Sequence, residues 1–333
     1  MIPKTQRHSR RHARSLEEPR SQHFLHHAAL VCDLVRSMHI PYDRPVLEIG
    51  AGTGAITAAL ADAGLRVIAI EKDVRLYRAL RSRFIGRTNV ECHHADVLAM
   101  PLVREPHTVV SNVPYAITSA LVRRVFASGA SDAHLIVQRE AAEKLTGRPA
   151  TTLTSLLSEP WFEMEIVRAL RREDFRPPPS VESVLLRIHR RDAPLVRSRE
   201  AQAYREFVLR TFGTRRQRAR DALRLAFTER QMVRLMRDLG IGRDARPSQI
   251  AFPQWLAMFR FHAHGRLSGA PRCGRYRNMS RSAGRISSLI APPPLSNETP
   301  RTMATGTRSS LPCTSSAAAA SSSTTAICVT RSS

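Results

Sequence analysis

The chain has 333 residues and sets 52 Lys and Arg against 28 Asp and Glu, for a formal net charge of +24. That length is enough to bury a real core, and a positive excess of this size suggests a polyanionic partner, most commonly nucleic acid. No apolar run reaches the roughly 18 residues of a membrane-spanning helix, and the basic N-terminus lacks the apolar centre of a secretory signal.

Cys32, Cys92, Cys273, Cys313 and Cys328 form neither a CxxC pair nor an evenly spaced framework. Zinc ligation and disulfides are therefore unsupported, and a reduced, cytoplasmic setting without a metal centre is expected. The charge is spread along the chain. Residues 1–20 hold one Lys, five Arg and two Glu, and residues 266–333 hold nine Arg and one Glu, so about half of the net charge lies on 21–265. Almost all of it is Arg, so a compositional bias competes with the nucleic-acid reading.

In chain order, residues 1–20 read as a basic mobile arm. Residues 24–38 place Phe24, Ala28, Val31, Val35 and Met38 at helical spacing. Strand and helix patterns then alternate: "PVLEIG" (45–50) is a strand, 54–64 a helix ended by Gly64, "LRVIAIE" (65–71) a strand and 73–84 a helix. "VECHHAD" (90–96), "HTVVSN" (107–112) and "AHLIVQ" (133–138) continue the strands, with a helix over 117–127. Short strands separated by helices predict βαβ units and a mostly parallel sheet. "WFEMEIVRAL" (161–170) and "SVESVLLRIHR" (180–190) have no full crossover helix between them and predict an antiparallel pair at the sheet edge.

From 193 to 265 the pattern is helical and broken by Gly240, Pro247 and Pro253, and residues 200–265 carry 13 Arg against six acids. This segment is expected to form a small helical domain with a nucleic-acid-binding face. The tail 266–333, with "SSAAAASSSTTA" and "APPP", is too poor in apolar residues to offset ordering entropy and is expected to be disordered.

Three glycines in "VLEIGAGTGAIT", Gly50, Gly52 and Gly54, stand between the first strand of the alternating region and its helix. Glycines there let the backbone turn sharply and approach a ligand, and the helix N-terminus offers it unpaired N–H groups. E-x-G-x-G-x-G is typical of S-adenosylmethionine enzymes, but Gly50-x-Gly52-x-x-Ala55 also satisfies a permissive dinucleotide fingerprint. The turn alone leaves both open. Glu71, closing the next strand, is placed to accept from ribose hydroxyls, and in a methyltransferase Asp96 would accept from the adenine amine.

Asn112-Val113-Pro114-Tyr115 ends the fourth strand of this series at the same sheet edge. The lone pair of an exocyclic adenine amine is delocalised into the ring. An amide oxygen from Asn112 and the Val113 carbonyl would accept its two N–H bonds and concentrate density on nitrogen. Pro114 fixes φ and so aims the carbonyl, while Tyr115 stacks on a flipped base. No strong general base is needed when alignment against a sulfonium leaving group carries the reaction.

"SQHFL" (21–25), "EIGAGTGAIT" (48–57), "AIEKD" (69–73), "ADVL" (95–98), "SNVPY" (111–115), "VQREAAEKLTG" (137–147) and "DFRPPPSVES" (174–183) occur in this order. Together they resemble the rRNA adenine-N6 methyltransferase family, which includes the Erm resistance enzymes and the KsgA/Dim-type small-subunit dimethyltransferases. The resemblance covers roughly 15–264. It implies a Rossmann-like class I methyltransferase over 21–192 and a helical RNA-binding domain over 193–265. It also implies S-adenosyl-L-methionine as cofactor, held by Gln22, His23, Phe24, Gly50, Gly52, Gly54, Glu71, Asp96, Val97 and Asn112. The target adenine would meet Asn112, Val113, Pro114 and Tyr115, with Phe175 as a second aromatic opposite Tyr115. The family's Q-N-F reads Gln22-His23-Phe24 here, and histidine is larger and titratable. The expected activity is mono- or dimethylation of a flipped adenine in the peptidyl-transferase region of 23S rRNA, conferring macrolide–lincosamide–streptogramin B resistance. A monomer acting in the cytoplasm is expected. The alternatives are 16S rRNA dimethylation of the KsgA type, a nucleotide-dependent oxidoreductase and a non-catalytic rRNA-binding factor.

Overall fold

The computed structural model describes residues 23–214 and 216–265, so Gln22, the arm 1–20 and the tail 266–333 lie outside the described residues. The chain runs β1 (Phe24–Leu25), α1 (Ala28–Ser37), β2 (Val46–Ile49), α2 (Ala55–Asp62), β3 (Val67–Glu71), α3 (Val74–Arg83), β4 (Val90–His94) and β5 (His107–Asn112). It continues through α4 (Thr118–Ala127), β6 (Ala130–Gln138), α5 (Arg139–Thr146), α6 (Leu153–Ser158), β7 (Phe162–Leu170), β8 (Phe175–Arg176) and β9 (Ser183–Arg190). Helices α7 (Ala201–Thr211), α8 (Ala219–Leu223), α9 (Glu229–Asp238) and α10 (Phe252–His264) complete it.

Local chemistry sets these boundaries. The Asp73 carboxylate accepts from the backbone N–H groups of Arg75 and Leu76, starting α3 directly after β3. Gly147, at φ 66°, ends α5 in the left-handed conformation that glycine adopts without a Cβ penalty.

Seven strands form one sheet in the order β4-β3-β2-β5-β6-β9-β7. Neighbours from β4 to β6 are parallel, and β9 runs antiparallel to both β6 and β7. The expected antiparallel pair is therefore present, with β9 inserted between β6 and β7 so that β7 is the outer strand. The order reverses between β2 and β5, which opens the ligand crevice of such sheets at the carboxyl ends of those strands.

One small sheet departs from the sequence reading. Phe24 does not begin the first helix; Phe24 and Leu25 are extended and pair with Arg176 and Phe175 across β1 and β8. His26 strengthens this clasp, its backbone N–H donating to Asp174 O at 3.3 Å and its Nδ1 lying 3.1 Å from the same oxygen. The helix starts only at Ala28, because these long-range bonds take the preceding backbone away from it.

The two faces of the sheet carry separate apolar clusters. Leu47, Ile49, Val109, Leu135 and Leu186 face a cluster that runs on into Tyr204, Phe207, Leu235, Trp255 and Phe259 of the helical segment. Val46, Ala69, Val110 and Ile136 face the other, with Leu34, Leu60 and Leu80 from the covering helices. Tyr204 donates its hydroxyl to Leu156 O at 2.8 Å, so this fully buried ring satisfies its polar atom.

Glu48 is the exception on the second face. It is 1% exposed, and its Oε2 has no hydrogen-bond partner among the described residues. Burial pushes its carboxyl up to about 8, an effect the nearby Thr57 only partly offsets. As pH rises from 4.5 to about 8 the unfolded chain ionises this group while the folded chain keeps it protonated, so native stability falls across that window. Glu48→Gln should flatten that slope and at pH 8 exceed the wild type in stability by on the order of a few kcal/mol, as read by urea unfolding at pH 5 and pH 8.

Candidate active site

The turn after β2 is held from three sides. Gly50, Gly52 and Gly54 have φ of 71°, 57° and 80°, all in the left-handed region. The Gly52 N–H donates to Glu71 Oε2 at 2.8 Å, and Arg83 donates to Thr53 O at 2.7 Å. A Cβ on Gly52 would lie 2.7 Å from the Phe24 ring, and one on Gly54 would lie 2.7 Å from the Phe84 ring and 2.8 Å from Leu80. A Cβ on Gly50 would meet nothing within 4 Å, so open space lies over the turn there. Gly54 caps α2 without any side-chain bond, and no acid occupies the first turn of that helix. The helix N-terminus is left to a ligand.

Glu71, 4% exposed, also accepts from the Asp73 N–H at 2.8 Å. Each of its oxygens holds one backbone donor and has a second lone pair to offer. Asp96 stands two residues beyond β4. Its Oδ1 accepts from Leu98 N at 2.8 Å and its Oδ2 pairs with Lys72 Nζ at 3.0 Å. The Leu98 bond first, then Lys72, holds the Asp96 carboxyl below its usual range. Val97 is half-buried against the first apolar cluster.

Asn112 is the last residue of β5, and its side-chain amide is oriented. Nδ2 donates to the backbone carbonyl of His23 at 2.6 Å, so Oδ1 is left as the acceptor of the amide. Val113 is buried, and its N–H donates to Ile136 O at 3.0 Å. Pro114 has φ −57° and ψ 128°, and its carbonyl accepts from Ile117 N at 3.0 Å, starting a short helical turn at Tyr115. The Tyr115 hydroxyl is 2.8 Å from Ser183 Oγ, and its ring centroid is 5.5 Å from that of His23 with 31° between the planes. His23 Nδ1 lies 2.7 Å from Pro177 O and donates to it.

The structure thus gathers His23, Phe24, Gly50, Gly52, Gly54, Glu71, Asn112, Val113, Pro114 and Tyr115 into linked positions. Phe175 is placed differently from the rest. It is 2% exposed and packed in the second apolar cluster, and no ring contact joins it to Tyr115 among the described residues. Gln22 lies outside the described residues. Sequence reading gave no role to Ser183, Pro177, Arg83 or Glu48. Ser183 sits in the quoted "SVES", yet nothing local marks a serine at a strand start as the anchor of a tyrosine 68 residues away.

A glycine turn after β2 and an amide acceptor at the end of β5 flank the switch point of the sheet, an arrangement that suits methyl transfer to an amine; the sheet with its one reversed strand is that of a class I methyltransferase. More particularly, the chain belongs to the ribosomal RNA adenine dimethylase family, whose model matches residues 15–264. It is 35% identical over 228 residues to the mycinamicin-resistance protein MyrB of Micromonospora griseorubida, covering 68% of this chain and 73% of that protein. It is 31% identical over 250 residues to the ribosomal RNA small subunit methyltransferase A of a Synechococcus strain, covering 71% and 89%. The solved structure of the 23S rRNA methyltransferase ErmE superposes with a TM-score of 0.68 at 30% identity, over 72% of this chain and all of that one. The protein is an S-adenosylmethionine-dependent methyltransferase, and the dinucleotide reading of the glycine turn falls away.

Two substitutions test the geometry. Gly52→Ala imposes a left-handed backbone on alanine, at about 1–2 kcal/mol, and drives a methyl into Phe24, so S-adenosylhomocysteine should bind at least tenfold more weakly by calorimetry. Asn112→Asp removes the donor and sets a carboxylate oxygen against the His23 carbonyl, so single-turnover methyl transfer should fall about 100-fold while the cofactor analogue still binds.

Proposed function

We propose that this protein methylates N6 of one flipped adenine in the peptidyl-transferase region of 23S rRNA, thereby conferring macrolide–lincosamide–streptogramin B resistance. The observation that carries the chemistry is the orientation of Asn112 by the His23 carbonyl. With Nδ2 committed, Oδ1 faces the amine as an acceptor, and the Val113 carbonyl takes the second N–H. Localising the nitrogen lone pair in this way makes the amine a nucleophile without a general base. Tyr115, held through its hydroxyl by Ser183, grips the base by stacking.

Bound S-adenosylmethionine supplies an electrophilic methyl on a sulfonium. The backbone around Gly50–Gly54 holds its methionine part, Glu71 the ribose, and Asp96 with Val97 the adenine. Phe24, with Gln22 before it, closes the cradle, while the His23 ring is turned toward Tyr115. An alkylated amine loses a donor and fills the space the drug would occupy, and the likeness to MyrB and ErmE favours this target over small-subunit RNA.

RNA would be held by the basic helical segment of a monomeric, cytoplasmic enzyme. A cavity of about 490 Å³ between the linker and α10 is lined by Arg197, Arg199, Arg260 and His264, with Glu200 already paired to His264 at 2.9 Å. The Arg197 and Arg199 side chains carry no ion pair or hydrogen bond among the described residues, which leaves both for phosphates. Arg197→Glu with Arg199→Glu should raise the RNA KM severalfold and lower the slope of log affinity against log salt by about 2, with S-adenosylhomocysteine binding unchanged.

Primer extension on both ribosomal RNAs, from cells with and without the gene, tests the target. The expected result is one modified adenine in the large subunit, read as a stop when dimethylated and by nucleoside mass spectrometry when monomethylated, absent with Asn112→Ala and accompanied by macrolide resistance. A stop only in small-subunit RNA would move the assignment to that alternative.

A further inference from the structure

We propose that His23 is a substrate-binding residue, its imidazole forming the wall of the adenine pocket opposite Tyr115. The proposal rests on the adenine-methylation reading above and adds a residue to its base clamp.

Four observations carry it. Among the described residues, the His23 ring is the aromatic surface that meets Tyr115, at 5.5 Å between centroids and 31° between planes. Phe175 is shut in the core at 2% exposure and does not present a face to Tyr115 in this structure. Both rings of the pair are anchored by polar atoms at their edges, His23 through Nδ1 to Pro177 O at 2.7 Å and Tyr115 through its hydroxyl to Ser183 Oγ at 2.8 Å. Their faces are thereby kept free of the anchoring bonds. Finally, the backbone of His23 already belongs to the catalytic arrangement, because its carbonyl orients the Asn112 amide. The amine acceptor and the stacking wall then come from adjacent atoms of the same two residues.

The spacing requires one movement. A base needs about 3.5–4.0 Å on each face, so the rings must part from 5.5 Å to roughly 7–8 Å as the adenine enters. Widening the gap breaks one of the two edge bonds, and the one given up is His23 Nδ1 to Pro177 O, because Tyr115 is held by the helical turn it starts as well as by Ser183. An asparagine at this position, as in the family's usual motif, has no ring to offer. The histidine therefore exchanges a small polar neighbour of the cofactor for an aromatic surface toward the base.

The test uses the full chain, an RNA oligonucleotide that the wild type methylates, and the variants His23→Ala, His23→Asn, His23→Phe and Tyr115→Ala. All retain the backbone carbonyl that Asn112 uses. Loss of one stacking face is worth about 5- to 150-fold in base affinity. His23→Ala and His23→Asn should therefore raise the RNA KM about tenfold or more, while S-adenosylhomocysteine affinity, measured by calorimetry, stays within about twofold. His23→Phe, which keeps a stacking face, should restore the RNA KM to within about threefold of the wild type. The cofactor measurement also reports whether each variant is folded. The proposal is overturned if His23→Ala weakens the cofactor analogue and leaves the RNA KM unchanged, or if Tyr115→Ala raises the RNA KM and His23→Ala does not. In the second case the methylation reading stands. If the wild type methylates no adenine in ribosomal RNA, that reading itself fails, and the proposal with it.

Discussion

Two backbone N–H groups, from Gly52 and Asp73, converge on the nearly buried carboxylate of Glu71, and the site is assembled outward from that pair of bonds. Held there, Gly52 presents a surface without a Cβ, and the Phe24 ring rests on it. Phe24 belongs to the two-residue strand that clasps β8, so the position of His23 just before it is set as well. The His23 carbonyl in turn orients Asn112. The proposed cofactor cradle and amine acceptor are thus coupled through one short stretch of chain, and on that reading an error in the glycine turn would travel to the reacting amine. A lone carboxylate can hold such a turn because its two oxygens bond to donors on different elements, one at the end of β3 and one in the loop after β2.

The parallel strands were legible because each is a short apolar, β-branched run bounded by turn residues, and the positions of the two carboxylates were legible because Glu71 ends β3 and Asp96 follows β4 by two residues. The β1–β8 clasp was not. A two-residue strand has no periodicity, and Phe24 fits the helical spacing of the residues that follow it equally well. Its partner lies about 150 residues away, and nothing local announces the pairing. The same holds for the contacts that tune the site. The sequence shows an asparagine, a tyrosine and a histidine, but the direction of an amide and the atom on which a hydroxyl rests come from tertiary structure. Glu48 shows the limit from the other side: its place in the E-x-G-x-G-x-G pattern was visible, while its burial without a partner for Oε2 was not.

Charge and packing divide the labour in the second half of the chain. The helices after β9 bury Tyr204, Phe207, Trp255 and Phe259 in the apolar cluster that also backs the sheet, and most of their described arginines are exposed. Many of those arginines are tied to acids on the same surface, as in Arg220–Glu229, Arg224–Glu229 and Arg234–Asp238. Such exposed pairs contribute little to stability. In the proposed RNA-binding role they would limit which cations remain to meet a phosphate, so the count of arginines overstates the surface on offer.

The apolar cluster that runs without a break from Leu47 in the sheet to Phe259 in the last helix has a mechanical consequence. The described chain has no apolar seam along which its helices could part from its sheet, so most of the compliance needed for an adenine to enter has to come from the nucleic acid. Selection among adenines then falls on the cost of unstacking each one. A mismatched, bulged or loop-end adenine yields at low cost, whereas one within a continuous duplex does not. On the proposed reaction, the choice among adenines would rest in part on how readily the RNA gives each one up.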